Sequence, residues 1–294
     1  MSQKKVKVIV LRTAGTNCDA EAAFAFENCG AHVRVAHINQ LFDGRARLGD
    51  GHILVIPGGF TYGDDIASGR ILANELRLRL GEDLCRFIGD GKLMIGICNG
   101  FQVMVKAGIL PGPLDAQQEK WRDSSSLREE PAAARTVTLT NNDSGKFEDR
   151  WCHLKTEGKS VWTEGLGGVV YFPVAHAEGK FIPQDQGVLA KLRDNGQIAF
   201  RYCDPQGGKP AYPENPNGSV DDIAGITDKT GRILGLMPHP ERHFLFTQHP
   251  FWTRLSLPAP AGSLPAGKAG LNGKHGHGAK IFANGVEYVK KHLL

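Results

Sequence analysis

The sequence lacks a strong charge imbalance, a long uninterrupted apolar run and any closely spaced pair of cysteines. Lysine and arginine total 35, aspartate and glutamate total 31, and the formal net charge is therefore +4. Dedicated nucleic-acid-binding proteins usually carry a clustered and more extreme basic charge, so we expect no nucleic-acid partner. The most apolar long segment, at 93–110, contains Asn99, Gln102 and Lys106. We therefore expect no membrane span and no membrane partner.

The cysteines follow neither a disulfide spacing nor a metal-binding spacing. Six are scattered along the chain, at positions 18, 29, 85, 98, 152 and 203. The chain begins with a short polar stretch that runs into an apolar strand pattern at 6–11, which is too short for the core of a signal peptide. We therefore expect free thiols, a reducing compartment and a cytoplasmic location. Five of the cysteines are expected to be structural, and Cys98 is the exception.

Strand and helix patterns alternate through the first half of the chain, which predicts an α/β fold. Apolar strand patterns occupy 4–12, 32–38, 52–57 and 92–97, and helix patterns occupy 19–29, 67–88 and the residues after 97. Strands rich in Val, Ile and Leu that alternate with helices predict a mostly parallel sheet covered on both faces. Ligands of such sheets bind beyond the carboxyl ends of the strands.

The second half is richer in strand patterns and contains one unusual segment. Further strands are predicted at 135–140, 151–156, 169–175, 187–192, 197–202, 224–227 and 233–237, before a closing helix at 279–292. The segment at 257–278 is rich in Pro, Ala, Gly, Lys and His, and we expect a mobile surface insertion in a single domain over 1–294. His275 and His277 could bind a metal, but no third ligand is evident, so no metal site is predicted.

The sharpest chemical signal is the string GICNG at 96–100. It lies where an apolar strand ends and a helix begins, which is the setting of a nucleophile elbow with cysteine in place of serine. The flanking glycines permit the tight turn, and the helix N-terminus favours a thiolate. A buried structural cysteine is the alternative interpretation. The surrounding pattern favours Cys98 as a nucleophile.

Two other motifs follow predicted strands and supply the groups that a nucleophilic cysteine needs. MPHPER at 237–242 follows the strand at 233–237, and on an extended chain His239 and Glu241 face the same side. They are candidates for a base and its orienting carboxylate. PGGFTYGD at 57–64 follows another strand, and its glycines allow backbone N–H groups to approach a reacting carbonyl. An ordinary glycine turn is the alternative, whereas a phosphate loop is disfavoured because no GK[ST] follows.

Together these motifs resemble the triad class of glutamine amidotransferases, with a flavodoxin-like class I fold and additional antiparallel strands. Within that class, the strings PGGFTYGD, GICNGFQ and MPHPER, with HAEG at 176–179 and NPNGS at 215–219, resemble the amidotransferases of phosphoribosylformylglycinamidine synthase. The resemblance covers about 1–250 and the final helix. It implies a glutaminase that supplies ammonia to a larger synthase subunit, and it leaves room for a further partner in the form of a small accessory subunit. ATP and Mg²⁺ would belong to the synthase, and this chain would hold no cofactor.

The resemblance also implies a role for individual residues. By this resemblance, the catalytic residues would be Cys98 as the nucleophile, His239 as the base and Glu241 as the group that orients the base. The other site residues would be Gly59 and Asn99 in the oxyanion hole, and Gly58, Gln102, His176 and Glu178 around the glutamine substrate.

Two other functions remain open from the sequence. An elbow cysteine in the same fold also occurs in peptidase-like and deglycase-like proteins, which usually take their histidine from the residue after the nucleophile. Here that residue is Asn99, which favours the amidotransferase. The third hypothesis is a non-catalytic, regulatory amidotransferase-like subunit, which the presence of all three triad residues disfavours.

Overall fold

The computed structural model describes residues 5–114, 136–255 and 275–294. Within these ranges the strands are β1 (Lys7–Arg12), β2 (His32–His37), β3 (Ile53–Ile56), β4 (Leu93–Ile97), β5 (Val137–Thr140), β6 (Glu148–Thr156), β7 (Val169–His176), β8 (Lys180–Pro183), β9 (Ile198–Cys203), β10 (Ile223–Thr227) and β11 (Ile233–Leu236). The helices are α1 (Asp19–Asn28), α2 (Ile38–Phe42), α3 (Arg70–Gly89), α4 (Asn99–Lys106), α5 (Gln186–Asp194) and α6 (Ala279–His292). The predicted insertion lies outside the described residues up to position 274.

A mixed sheet in the order β2-β1-β3-β4-β11-β10-β9-β6-β7 organises the described part of the chain. The first five strands run parallel to one another, and each remaining pair is antiparallel. Every residue of β3, β4 and β11 is buried, as expected for central strands that are covered on both faces. The predicted α/β class, with its parallel sheet and additional antiparallel strands, is confirmed.

The helices lie on the two faces of the sheet because of the direction of the chain crossovers. The chain moves outward from β1 to β2 through α1, and in the opposite direction from β3 to β4 through α3. Right-handed crossovers in opposite directions place their helices on opposite faces. On its face α1 packs against α6, where the rings of Phe26 and Phe282 meet edge to face at 5.0 Å. Among the described helices, none has both the length and the apolar character that a bilayer crossing requires.

One predicted element is wrong, because the predicted strand at 187–192 is helix α5. The side chain of Asp185 accepts a hydrogen bond from the backbone N–H of Val188 at 2.8 Å, which caps the first turn. Val188, Leu189 and Leu192 are the buried residues of this segment, and their spacing follows one face of a helix. The strand just before it, β8, was not predicted and pairs with β5 in a separate two-stranded sheet.

Candidate active site

Three neighbouring parallel strands carry the three motifs to the same edge of the sheet. β3 ends at Ile56 before the glycine loop, β4 ends at Ile97 before the elbow, and β11 ends at Leu236 before the histidine motif. The parallel direction of the strands therefore brings segments that are far apart in sequence to one place. The sequence predicted this convergence from the position of each motif at a strand end.

Cys98 occupies a strained turn between β4 and α4. Its φ and ψ are 52° and −108°, and positive φ is uncommon for residues other than glycine. The backbone N–H of Cys98 donates to the carbonyl of Leu236 at the end of β11, at 2.8 Å. The Sγ atom lies 3.6 Å from the carbonyl oxygen of Ala175 near the end of β7. This conformation is that of a nucleophile elbow.

The glycines on both sides of the elbow are required by close packing. A Cβ atom at Gly100 would lie 1.8 Å from the carbonyl oxygen of Ile56, and one at Gly96 would lie 2.3 Å from Sδ of Met104. Both distances are far below normal van der Waals contact. The lack of a side chain at Gly100 therefore lets the start of α4 lie directly against β3, and the lack of one at Gly96 lets α4 pack on β4.

His239 and Glu241 form a buried pair at the same edge. The Nδ1 atom of His239 lies 2.6 Å from Oε1 of Glu241, and the two residues are 2% and 1% exposed. Burial alone would lower the pKa of His239, but the Glu241 carboxylate and the nearby Cys98 and Cys18 raise that pKa well above its usual value. The Glu241 carboxylate therefore stabilises the positive ring that forms when an imidazole accepts a proton from a thiol.

The local chain around this pair differs from the extended geometry that the sequence suggested. Residues Pro240–His243 form a 3₁₀ turn, and Glu241 lies within it. Pro240 stands at the first position of the turn, where its fixed φ suits a helical start and its missing N–H costs nothing. The carboxylate thus reaches His239 through a tight turn rather than through alternation along a strand.

Gly58 lies close to both His239 and Cys98. A Cβ atom at Gly58 would lie 2.8 Å from Cε1 of His239 and 3.4 Å from Cβ of Cys98. The ring and the cysteine therefore both lie next to this glycine. The Nε2 atom of His239 is buried and has no hydrogen-bond partner among the described residues. Because Nδ1 is taken by the carboxylate, Nε2 is the nitrogen available to the thiol.

The two predicted oxyanion donors are Gly59 and Asn99. Within the described residues, the N–H of Gly59 donates to no acceptor, although its neighbour Phe60 donates to the Gly15 carbonyl at 2.8 Å. The N–H of Asn99 is the first of helix α4, where no carbonyl of the preceding turn is available. Its side chain binds the glycine loop, since Oδ1 accepts from Oγ1 of Thr61 at 2.8 Å. Their role toward an oxyanion stays a prediction.

The predicted glutamine-binding residues lie beside the elbow, and several already have protein partners. The Nε2 atom of Gln102 donates to the carbonyl of Glu178 at 2.5 Å. The Glu178 carboxylate accepts from the N–H of Ser68 at 3.4 Å and lies 3.5 Å from Nζ of Lys106. These contacts join α4, the loop before α3 and the segment after β7. Direct contact of Gln102 or Glu178 with glutamine stays a prediction.

His176 is a buried neutral histidine under this segment. Burial, with a smaller contribution from the positive His239, lowers its pKa to about 3. Its Nδ1 atom lies 3.1 Å from Oδ1 of Asn142, which also accepts the N–H of Gly179 at 3.0 Å. A Cβ atom at Gly179 would lie 2.2 Å from the His176 ring, so the glycine allows the chain to cover that ring.

Sequence reasoning missed two residues that contact these groups. Asn142 is 3% exposed and holds His176, but it lies 34 positions away in sequence. Cys18 was interpreted as structural, yet its Sγ atom lies 3.9 Å from Nδ1 of His239. The available signal for Cys18 was its position shortly after β1, another strand of the parallel set.

Comparison with known proteins identifies the family. The model of the CobB/CobQ-like glutamine amidotransferase domain matches residues 5–289. A relative from Dehalococcoides mccartyi, phosphoribosylformylglycinamidine synthase subunit PurQ, is 44% identical over 98% of this chain and 99% of its own length. The subunit of the same name from Methanococcus maripaludis is 40% identical over 97% and 98%. The chain belongs to the PurQ family.

Solved structures agree with membership of the PurQ family. The structure of PurLQS from Thermotoga maritima matches 97% of this chain and 100% of that chain, with a TM-score of 0.64 and 25% identity. A putative GMP synthase protein from Thermoplasma acidophilum matches 99% of this chain and 96% of that chain, with a TM-score of 0.52 and 13% identity, and shows the fold alone. The predicted resemblance and the amidotransferase fold are confirmed.

Proposed function

We propose that this chain hydrolyses glutamine with Cys98, His239 and Glu241 and passes the ammonia to a larger synthase subunit. It is the glutaminase subunit of a phosphoribosylformylglycinamidine synthase, which converts formylglycinamide ribonucleotide to the amidine in purine synthesis. The relatives that carry this name match the chain over nearly its whole length. The buried nucleophile, base and carboxylate at one sheet edge are the observation that supports the chemistry.

The first half of the reaction forms a thioester. Sγ of Cys98 attacks the side-chain carbonyl carbon of glutamine while Nε2 of His239 takes the thiol proton. The N–H groups of Gly59 and Asn99 stabilise the negative oxygen of the tetrahedral intermediate. When the C–N bond breaks, the leaving nitrogen takes a proton from His239 and departs as ammonia. Glu241 keeps Nδ1 occupied and stabilises the positive ring.

The second half returns the enzyme to its starting state. Water attacks the thioester carbon and gives a proton to Nε2 of His239. The C–S bond then breaks, Cys98 recovers the proton from His239, and glutamate is released. Every proton in this cycle passes through one nitrogen, which is why the orientation of the ring by Glu241 is important.

ATP and Mg²⁺ are proposed to act on the synthase subunit. The motifs of this chain provide a thiol, a base and backbone donors, which suffice for amide hydrolysis, whereas activating the ribonucleotide amide requires phosphoryl transfer. The match between this chain and a chain of the PurLQS structure covers that chain in full, which supports assembly with a synthase partner. A cytoplasmic location remains a prediction from the sequence.

The test separates ammonia production from its use. We expect Cys98→Ala, assembled with its synthase, to lose glutamine-dependent synthesis by about 10³-fold or more and to retain synthesis from ammonium. Cys29→Ala, at the end of α1, is the matched control and should retain both activities. Glutamine-dependent activity that survived in the Cys98 variant would refute the assignment.

The peptidase-like or deglycase-like alternative predicts a different labelling result. A diazoketone that mimics glutamine should alkylate Cys98, and mass spectrometry of the digested protein would locate the adduct. Free glutamine should protect the thiol from the reagent. An unlabelled Cys98 would favour the alternative enzyme.

A further inference from the structure

A second thiol lies beside the catalytic histidine and has no task in glutamine hydrolysis. Cys18 is 1% exposed, and its Sγ atom lies 3.9 Å from Nδ1 of His239. Nη2 of Arg242 donates to the same sulfur at 3.1 Å. The thiol faces Nδ1, the nitrogen bound by Glu241, whereas the proposed proton transfer to and from Cys98 uses Nε2.

The atoms around this thiol are a set of metal-binding donors. Sγ of Cys18, a ring nitrogen of His239 and a carboxylate oxygen of Glu241 all lie within 4.8 Å of one another. Thiolate, imidazole and carboxylate are the ligands that Zn²⁺ takes in proteins. All three side chains are buried, so water competes weakly for the metal.

The distances require only small adjustments to hold an ion. Tetrahedral zinc bonds of about 2.0–2.3 Å place neighbouring ligand atoms roughly 3.3–3.7 Å apart. The separation of 3.9 Å between Cys18 and His239 is close to that range, and the 2.6 Å contact with Glu241 would open by less than about 1 Å. The second oxygen, Oε2 of Glu241, is buried and has no hydrogen-bond partner among the described residues. It is an acceptor still available for a cation.

We propose that Cys18, His239 and Glu241 form an inhibitory site for a thiophilic divalent cation, with Zn²⁺ as its representative. On binding, the Cys18 thiol and Nδ1 of the protonated His239 ring each release a proton to solvent, and the thiolate, the Glu241 carboxylate, the neutral ring and the ion together form a neutral cluster. Arg242 can keep its hydrogen bond to the sulfur as a partner of the metal ligand. The sequence had predicted no metal site, because Cys18 lies 221 positions away from the motif that supplies His239 and Glu241.

The ion would block catalysis by fixing the wrong tautomer of the base. A neutral imidazole bound to the metal through Nδ1 carries its proton on Nε2. That nitrogen can then no longer accept the proton of Cys98. The site therefore predicts inhibition of glutamine hydrolysis without any contact between the ion and the nucleophile.

Zinc binding is tested first without turnover, in the Cys98→Ala protein. Titration against a chromophoric zinc chelator should give one tight site in wild type and in Cys98→Ala. Cys18→Ala and Cys18→Ser should weaken binding at least roughly tenfold, with thermal unfolding checking that each variant is folded. Co²⁺ should give a thiolate charge-transfer band that Cys98→Ala keeps and Cys18→Ser loses.

Inhibition is tested in the assembled synthase, with each variant normalised to its own rate without zinc. Zn²⁺ should inhibit glutamine-dependent synthesis far more strongly than synthesis from ammonium, and Cys18→Ala should raise the inhibition constant at least about tenfold. Binding that disappears in Cys98→Ala and persists in both Cys18 variants would place the ion on the nucleophile and overturn the proposal. Because the chelator titration needs no activity, its result stands apart from the proposed glutaminase function.

Discussion

Replacing Glu241 by glutamine tests whether the carboxylate acts through charge or only through shape. The substitution keeps the size of the side chain and an oxygen that can accept from Nδ1 of His239. It removes the negative charge that lies 2.6 Å from a ring enclosed by protein. The positive ring that forms during catalysis would then have no counter-charge in a buried site.

The magnitude follows from the cost of an unpaired buried charge. Removing one partner of a buried ion pair costs about 3–5 kcal/mol. At about 1.4 kcal/mol for each tenfold change, kcat for glutamine hydrolysis should fall roughly 10²- to 10⁴-fold. The pKa of His239 should also fall, because burial lowers it and the carboxylate that opposes burial is gone. The KM for glutamine should change little, because Glu241 contacts the base rather than the substrate.

The assay measures glutamine-dependent synthesis across pH in the assembled enzyme, with ammonium-dependent synthesis as the internal reference. Glu287→Gln, which removes an exposed carboxylate on α6, is the matched control and should behave as wild type. The limb of the pH profile assigned to His239 should move to lower pH in the Glu241 variant. A variant with unchanged kcat and an unchanged profile would refute an electrostatic role for Glu241.

Two further predictions concern the elbow and the buried histidine. Gly100→Ala should abolish activity and lower the unfolding midpoint, because its Cβ would overlap the carbonyl of Ile56. The control is Gly49→Ala, where a Cβ would meet open space, and it should change the free energy of unfolding by less than about 0.5 kcal/mol. A fully active Gly100→Ala protein would contradict the packing. The pKa of His176 is about 3 in the folded chain and higher when unfolded, so acidification from pH ~6.5 toward 3 should cost stability. His176→Gln should lower the pH dependence of the unfolding free energy by up to about 1.4 kcal/mol per pH unit, and an unchanged slope would contradict this.

The sequence was sufficient to predict the convergence of the site. Each motif follows an apolar strand, and parallel strands that end at one edge bring their following residues together whatever their separation in sequence. The positions of Cys98 and His239 could therefore be predicted without any contact information. The glycines around Cys98 also indicated a tight turn, because few other residues fit there.

The wrong and the missed predictions have two causes. Either a local signal competes with the apolar pattern, or the structure depends on a contact between residues far apart in sequence. The strand predicted at 187–192 is a helix because Asp185 caps its first turn, and a short apolar run alone does not separate the two structures. Glu241 was placed on an extended chain, but Pro240 begins a 3₁₀ turn. The contacts of Asn142 and Cys18 join residues 34 and 221 positions apart, and no local pattern records such pairs.

The backbone hydrogen bond from Cys98 to Leu236 has a dynamic consequence. Leu236 ends β11, and His239 follows three residues later, so the same strand anchors the proposed nucleophile and carries the proposed base. We therefore expect a displacement of β11 to move both residues in the same direction and to change the distance between them little. Small motions of the sheet should therefore change little the distance between Cys98 and His239, on which the proposed proton transfer depends.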